Sequence, residues 1–256
     1  MTPGRRLDFQ LDGKLAIVTG ATRGIGQAAA IGLAEAGADV IVIGNSRTPD
    51  ETRIAIEAAG RTAVAMQGDV CDPAFRERIV TEAVAGWGRI DILVNNAGTQ
   101  IRTPAVDFAE ADWDRVLEVN LTSLFRMCQC VGRRMLKQGC GKIVDIASLQ
   151  SFTGGITIPA YAASKGGVAQ VTKALANEWA RHHVNVNAIA PGYTLTDLTR
   201  PLYLDPIRSK EIGDRMPIGR WGQPADLKGP VVFLASPASD FVHGHILLVD
   251  GGWMAR

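Results

Sequence analysis

Short apolar runs rich in β-branched residues alternate with longer amphipathic stretches along most of the chain. The continuous Val, Ile and Leu content of these runs is typical of strands that are buried on both faces. The pattern therefore predicts an α/β fold in which helices cover a parallel sheet. The predicted strands are Leu15–Thr19, Val40–Ile43, Ala63–Gln67, Ile90–Asn95, Ile143–Ala147, Val184–Ala190 and Ile246–Val249.

The amphipathic stretches predict helices at Gly26–Ala36, Asp50–Ala59, Ala74–Trp87, Asp112–Gln138, Ala160–Arg181 and Ala225–Leu234. One segment, Pro191–Pro224, breaks the alternation because it is rich in proline and has few apolar periods. We interpret this segment as a mobile substrate flap over a cleft. No repeat or linker divides the chain, so a single doubly wound domain is expected over residues 1–256.

A glycine-rich turn, TGATRGIG at 19–26, joins the first predicted strand to the first helix. Glycines allow the backbone to approach a pyrophosphate, whose charge meets the N–H groups at the helix N-terminus. Its place between a strand and a helix favours a dinucleotide site. A helix that merely begins with glycines would give the same pattern.

Tyr161 and Lys165 are four residues apart and therefore share one face of a predicted helix. Lowering the pKa of a phenol by three units requires about 4 kcal/mol. An ammonium group ~5 Å away supplies about 3 kcal/mol at an effective dielectric of 20. The pair can therefore act as an acid and base, although such pairs also occur by accident on helix surfaces. Ser148 and the sequence NNAG at 95–98 follow predicted strands, at the edge where open α/β sheets bind ligands.

The composition and charge of the chain exclude several classes of function. Lys plus Arg total 27 against 26 Asp plus Glu, so the net charge of +1 gives no bulk field for nucleic acid or an acidic membrane. The apolar runs are far shorter than the ~20 residues that span a bilayer. The four cysteines lack CxxC spacing, which favours reduced thiols and a cytoplasmic location. No metal site is expected, because His182 and His183 have no further ligands at workable spacing.

Several motifs together resemble the short-chain dehydrogenase/reductase family. They are TGATRGIG at 19–26, NNAG at 95–98, Asn120, Ser148, YAASK at 161–165 and PGYTLT at 191–196, and they match in order and spacing from about Leu11 to the C-terminus. The resemblance implies a Rossmann-type fold with seven parallel strands, a nicotinamide cofactor and usually a homotetramer.

The resemblance also implies a role for each candidate catalytic residue. Tyr161 would donate and accept the proton, and Lys165 would lower its pKa and hold the nicotinamide ribose. Ser148 would orient the substrate oxygen, and Asn120 would support a proton relay. The expected cofactor contacts, apart from the residues after the second strand, are Gly20, Thr22, Arg23, Gly24, Ile25, Gly26, Asp69, Val70, Asn96, Ala97, Gly98, Tyr161, Lys165, Pro191, Gly192, Thr194 and Thr196.

The residues after the second predicted strand bear on the choice of cofactor. In relatives that use NAD, an acidic residue commonly binds the ribose 2′-OH there and repels a 2′-phosphate. This chain has Asn45, Ser46 and Arg47 instead, and Arg23 resembles the basic residue of many NADP users. We predict a preference for NADP(H), with NAD(H) as the alternative.

Within the family, the likeness is greatest to sugar-acid oxidoreductases, the 2-deoxy-D-gluconate 3-dehydrogenases and gluconate 5-dehydrogenases. It rests on NNAGTQIR at 95–102, ANEWA at 176–180, NAIAPGY at 187–193, GRWGQP at 219–224, LASPASD at 234–240 and VDGGW at 249–253. The expected substrate is a keto-gluconate or a deoxy-keto-uronate from alginate or pectin breakdown.

Arg102 could pair with the substrate carboxylate, and Gln150 could bind hydroxyls, although both are equally compatible with solvated surface positions. Tyr193, Ser148 and Tyr161 complete the expected substrate contacts. Two alternatives stay open: a 3-oxoacyl thioester reductase, and a non-catalytic NAD(P)-binding regulatory protein. The intact Ser148, Tyr161 and Lys165 disfavour the second alternative.

Overall fold

A computed structural model describes residues 8–256, so residues 1–7 of the expected domain lie outside the described part. The described residues form a seven-stranded sheet in the order β3-β2-β1-β4-β5-β6-β7, and every neighbouring pair is parallel. The α/β, Rossmann-type prediction is therefore confirmed. The strands are β1 (Leu15–Thr19), β2 (Asp39–Gly44), β3 (Ala63–Gln67), β4 (Ile92–Asn95), β5 (Gly141–Ile146), β6 (Val184–Pro191) and β7 (Ile246–Val249).

Helices lie on both faces of this sheet. They are α1 (Gly24–Glu35), α2 (Asp50–Ala58), α3 (Pro73–Trp87), α4 (Glu110–Leu117), α5 (Ser123–Gln138), α6 (Pro159–Trp179), α7 (Arg200–Leu204), α8 (Pro206–Arg215) and α9 (Lys228–Ala235). Local signals set several ends. The Asp72 carboxylate accepts from the Ala74 N–H at the start of α3, and Gly88 ends that helix with φ at +69°.

Two separate cores explain why strands such as β1 are apolar on both faces. Along β1, Leu15 and Ile17 pack into one core, whereas Ala16 and Val18 pack into the other, and all four are fully buried. Successive side chains of a strand point to opposite faces. Each face therefore needs its own apolar set, which produces a continuous run rather than an alternation.

The sequence-based boundaries differ from the structure in two functional regions. The helix expected over Asp112–Gln138 is interrupted by a π-helical turn at Glu118–Thr122, which lies between α4 and α5. The segment expected to be irregular contains α7 and α8. The Asp205 carboxylate caps α8 by accepting from two backbone N–H groups, and Pro206 occupies the first turn. The interpretation of residues 191–224 as a mobile flap stays a prediction.

Parallel strands bring their carboxyl ends to one edge of the sheet. The glycine-rich turn follows β1, residues 96–98 follow β4, Ser148 follows β5 by two residues, and residues 192–196 follow β6. Because β1 pairs with β2 on one side and β4 on the other, the direction of strand order reverses at β1. Ligands of open α/β sheets bind in the crevice at such a point.

Candidate active site

A cavity of about 1160 Å³ opens at this edge of the sheet. It exceeds the ~300–1,000 Å³ of typical small-molecule sites, so it has room for a large cofactor and a second ligand. Most residues expected from the sequence line it: Gly20, Thr22, Arg23, Gly24, Ile25, Asn45, Ser46, Asp69, Val70, Asn96, Ala97, Gly98, Arg102, Ser148, Gln150, Tyr161, Lys165, Pro191, Gly192, Tyr193, Thr194 and Thr196. Gly26, Arg47 and Asn120 are not among the lining residues.

The glycine-rich turn is packed too closely for side chains. Gly20 and Gly24 have φ values of +65° and +60°, which favour glycine. A Cβ atom at Gly26 would lie 2.3 Å from the Gly20 carbonyl oxygen, which already accepts a hydrogen bond of 2.9 Å from the Asn96 amide. Among the described residues, no side chain caps the start of α1. The helix N-terminus therefore faces the cavity with the N–H groups that suit a phosphate.

A tyrosine, a serine and a lysine meet where β5 and α6 border the cavity. Tyr161 and Lys165 lie one turn apart on α6, and the lysine Nζ is 5.8 Å from the centre of the tyrosine ring. The Ser148 hydroxyl lies close enough to the Tyr161 phenol to lower the pKa of that phenol. The Lys165 ammonium donates to the Ile146 carbonyl oxygen at 2.6 Å. The spacing in the sequence thus brings these three groups together.

The structure corrects the expected electrostatics of Tyr161. Burial raises the pKa of Tyr161 above its ordinary value, while the Ser148 hydroxyl and the positive charge of Arg102 act to lower that pKa. The Lys165 ammonium is directed at a backbone carbonyl, and its expected lowering of the Tyr161 pKa stays a prediction. Desolvation by the surrounding protein opposes ionisation of the phenol more strongly than the sequence argument allowed.

The carboxylate of Asp145 is buried and interacts with Lys165, which the sequence argument missed. Burial raises the pKa of Asp145, in β5, to about 6, while bonds from Asn95 and Thr172 and the charge of Lys165 favour its ionised form. Burial also lowers the pKa of Lys165 to about 8, against the opposing influence of Asp145. The one signal in the sequence is a charged residue inside the apolar run KIVDIA at 142–147.

Asn120 lies in the π-helical turn rather than in the cavity wall, and it is fully buried. Its side chain accepts from the Thr99 N–H at 2.8 Å and donates to the Thr99 carbonyl oxygen at 2.9 Å. Its amide also donates to the Ser164 hydroxyl at 3.1 Å. Asn120 therefore fixes the backbone of a cavity-lining residue to α6, and its expected part in a proton relay stays a prediction.

The residues expected at the two ends of the cavity have different surroundings. The Arg23 guanidinium pairs with Asp197 at 2.9 Å, and both side chains are more than half exposed. Arg102 is exposed at the cavity and contributes positive charge to Tyr161. Gln150 lines the cavity, and its backbone N–H donates to the Ser148 hydroxyl oxygen at 3.2 Å.

The C-terminal tail contributes an aromatic side chain to the cavity lining, which the sequence did not indicate. Trp253 follows the last strand by four residues, and its side chain lines the cavity and is only 9% exposed. Its ring lies 4.7 Å from that of Tyr193, between centroids. The guanidinium of Arg215, on α8, lies 4.2 Å above the Trp253 ring. These contacts join three distant segments, so no local pattern could have indicated them.

Residues 8–256 lack both a membrane-spanning helix and a metal-binding cluster. No helix there combines the length and apolar character needed to cross a bilayer. In the same residues, no three His, Cys, Asp or Glu side chains gather in a way that could hold a metal ion. The four cysteines, all within this range, are free thiols.

The sequence was also compared with known proteins. A family model described as enoyl-(acyl carrier protein) reductase matches residues 20–254. The 2-dehydro-3-deoxy-D-gluconate 5-dehydrogenase of Dickeya dadantii is 52% identical over 97% of this chain and 98% of the relative. The enzyme of the same name from Bacillus subtilis is 51% identical, with 97% of both chains covered.

A solved structure also matches nearly the whole chain. The chain superimposes with a TM-score of 0.91 on a gluconate 5-dehydrogenase from Burkholderia cenocepacia in complex with NADP and tartrate. That enzyme is 43% identical, and the match covers 97% of this chain and 98% of the other. The similarity therefore extends over the whole sheet and the cavity at its edge.

Proposed function

The chain belongs to the short-chain dehydrogenase/reductase family, and from that premise we propose that it is an NADP(H)-preferring oxidoreductase of a sugar acid. The reaction interconverts a secondary alcohol and a ketone, and the substrate class is a ketogluconate, such as 2-dehydro-3-deoxygluconate, or a deoxy-keto-uronate. The observation that carries the proposal is the placement of Ser148, Tyr161 and Lys165 in the same cavity as the glycine-rich turn.

The cavity residues fit a nicotinamide dinucleotide. The glycine cradle leaves no space for a Cβ at Gly26, and the open N-terminus of α1 suits a pyrophosphate. When bound, the nicotinamide would accept or donate the hydride. The remaining expected contacts in this proposal are Asp69 and Val70 for the adenine and residues 191–196 for the nicotinamide.

The preference for NADP(H) rests on the residues after β2. Asn45 and Ser46 line the cavity where a carboxylate would repel a 2′-phosphate. Arg23 also lines the cavity, and a phosphate there would compete with Asp197 for its guanidinium. Arg47 is less well supported, because it does not line the cavity. NAD(H) remains the alternative cofactor.

Each polar group at the reacting end has a distinct proposed role. Tyr161 donates its phenolic proton to the ketone oxygen during reduction and accepts it back during oxidation. Ser148 favours the ionised phenol before the substrate binds and donates its one hydroxyl proton to the substrate oxygen afterwards. Lys165 supplies a fixed positive charge and can reach the cofactor ribose. Asn120 holds the Thr99 backbone, is hydrogen-bonded to Ser164 on α6, and supports the proposed proton relay.

The substrate contacts follow from chemistry at the cavity wall. Arg102 is an exposed cation near the reacting phenol, so we propose that it binds the substrate carboxylate. Gln150 and Tyr193 also line the cavity and can bind hydroxyl groups of a sugar acid. The tartrate in the Burkholderia cenocepacia enzyme is likewise a hydroxylated carboxylate.

We further propose that the protein is a homotetramer in the cytoplasm and acts in uronate catabolism. The family resemblance supports the tetramer, and four free thiols suit a reducing compartment. Light scattering after size-exclusion chromatography tests the tetramer, which a monomeric mass would contradict.

The activity is tested by following NADPH or NADH absorbance with purified protein and a panel of substrates. The panel contains ketogluconates and an acetoacetyl thioester, assayed as ketones with the reduced cofactors, and 2-dehydro-3-deoxygluconate, assayed as an alcohol with NADP⁺ and NAD⁺. We expect the highest kcat/KM with a sugar acid and NADP(H). Faster turnover of the thioester would support the acyl reductase alternative. Cofactor binding without turnover of any substrate would support the non-catalytic alternative.

A further inference from the structure

One buried charge in the molecule has no part in the chemistry above. Asp145 lies in β5, between β4 and β6 in the sheet, and it has no exposed surface. A buried carboxylate costs free energy unless its oxygens are hydrogen-bonded or paired with a cation. The surroundings of Asp145 supply both.

The hydrogen bonds around Asp145 suit two protonation states. The Asn95 amide donates to Oδ1 at 2.9 Å, and the Thr172 hydroxyl lies 2.9 Å from Oδ2. The same hydroxyl also lies 2.9 Å from the Val168 carbonyl oxygen, but it carries one proton. When Asp145 is ionised, Thr172 donates to it. When Asp145 is protonated, it donates to Thr172, which then donates to Val168. Both states are therefore satisfied.

The cation that faces Asp145 is Lys165. Its ammonium donates to the carbonyl oxygen of Ile146, the residue next to Asp145 in β5. Within the described residues, the titratable groups that act on Asp145 are Lys165 from α6 and the Cys128 thiol from α5, which lies 3.8 Å away. The β4 contact, Asn95, is neutral. A buried ammonium with one opposite charge nearby depends strongly on that charge.

We propose that Asp145 is a positioning residue that keeps Lys165 in its ammonium form against the Ile146 carbonyl, and thereby sets the upper pH limit of the reaction. The inference rests on the proposed function for its kinetic consequence. Asp145 touches neither substrate nor cofactor and acts only through Lys165. By reciprocity, each charge stabilises the other: Lys165 favours ionised Asp145, and Asp145 favours charged Lys165.

The Asp145→Asn variant reproduces the protonated state without the ability to titrate. Its amide oxygen can accept from Asn95, and its amide nitrogen can donate to Thr172. We expect the variant to fold and the alkaline limit of kcat/KM for ketone reduction to move about one pH unit lower. The direction follows because loss of the carboxylate makes the Lys165 ammonium easier to deprotonate.

Asp91→Asn is the matched control. Asp91 is another buried aspartate, just before β4, but it pairs with Arg89 and Lys14, away from Lys165. Its replacement can lower stability and is expected to leave the alkaline limit in place. An unchanged limit in Asp145→Asn, or an equal shift in Asp91→Asn, would overturn the proposal.

An infrared titration tests the pair without turnover. In the wild-type protein, a protonated-carboxyl carbonyl band that Asp145→Asn lacks should disappear as the pH rises through about 6. In Lys165→Met, the midpoint should move to higher pH, because the carboxylate loses its cation. An identical midpoint in both proteins would refute the coupling. Failure to turn over any sugar acid would refute the proposed function alone, since the infrared result stands independently.

Discussion

Replacing Arg102 with alanine gives the sharpest test of the proposed substrate. Arg102 is exposed at the cavity, and among the described residues the structure records no carboxylate within 4.0 Å of its guanidinium. Its charge is therefore free to meet an anion without breaking an internal ion pair. If Arg102 binds the substrate carboxylate, the variant should discriminate less between a sugar acid and its uncharged analogue.

The exposure of Arg102 limits the size of the effect. A hydrogen bond to a charged group contributes about 1.5–3 kcal/mol, and solvent around an exposed side chain favours the lower value. A loss of about 1.5 kcal/mol corresponds to a roughly tenfold lower kcat/KM. We expect this loss for 2-dehydro-3-deoxygluconate or a ketogluconate. The kcat/KM of a neutral ketose should change by less than about threefold.

The same substitution should change the pH dependence. The positive charge of Arg102 acts to lower the pKa of Tyr161, so its removal raises that pKa further. Oxidation of the alcohol requires the ionised phenol, which is lost as the pH falls below this pKa. The acid limb of the oxidation profile should therefore move to higher pH in Arg102→Ala.

Arg208→Ala is the matched control for both effects. Arg208 also lines the cavity, but its guanidinium already pairs with Glu211 at 2.6 Å. Steady-state kinetics on the acid and the neutral ketose should show little change in this variant. Equal losses for both substrates in Arg102→Ala, or a larger loss in Arg208→Ala, would refute a carboxylate site at Arg102.

Three further substitutions test other parts of the site. Asn120→Ala should lower the free energy of unfolding in urea by about 2–4 kcal/mol and reduce kcat, because it leaves buried polar groups of its partners unpaired; unchanged stability would contradict this role. Trp253→Ala should lower Tm and raise the sugar-acid KM, because Tyr193 loses one of its two aromatic neighbours; an unchanged KM would exclude the tail from the site. Gly26→Val should abolish NADPH binding measured by calorimetry, since its Cβ has no space. Gly86→Ala, in an open position on α3, is the control and should stabilise the fold by about 0.5–1 kcal/mol.

The architecture and the convergence of the site could be predicted because both follow from local patterns. Seven buried runs predict a parallel sheet, and parallel strands bring their ends together at one edge. Ser148 and the glycine-rich turn were placed at the site by this rule. The spacing of four between Tyr161 and Lys165 was sufficient to put them on one face of α6.

The electrostatics could not be predicted, since they depend on burial in three dimensions. Spacing alone suggested that Lys165 lowers the pKa of Tyr161, whereas desolvation raises that pKa and the ammonium binds a backbone carbonyl. Asp145 was hidden within an apolar run that was read only as a strand. The charge of Asp145 indicates a functional role only when the structure shows that it interacts with Lys165.

The substrate end was also beyond local reasoning. Prolines at 201 and 206 made the segment after β6 look irregular, but a proline in the first turn is compatible with a helix. Trp253 enters the cavity only because the chain returns over α8 after β7. Contacts between residues this far apart in the sequence leave no periodic signal.

The central claim is that the Tyr161 hydroxyl transfers the proton to and from the substrate oxygen. It is tested most directly by comparing single-turnover rates of wild type and Tyr161→Phe with saturating cofactor and 2-dehydro-3-deoxygluconate. Loss of a positioned acid and base should reduce the rate by about 10²–10⁴-fold while NADPH still binds. A variant that retains the wild-type rate within a factor of about two would contradict the account.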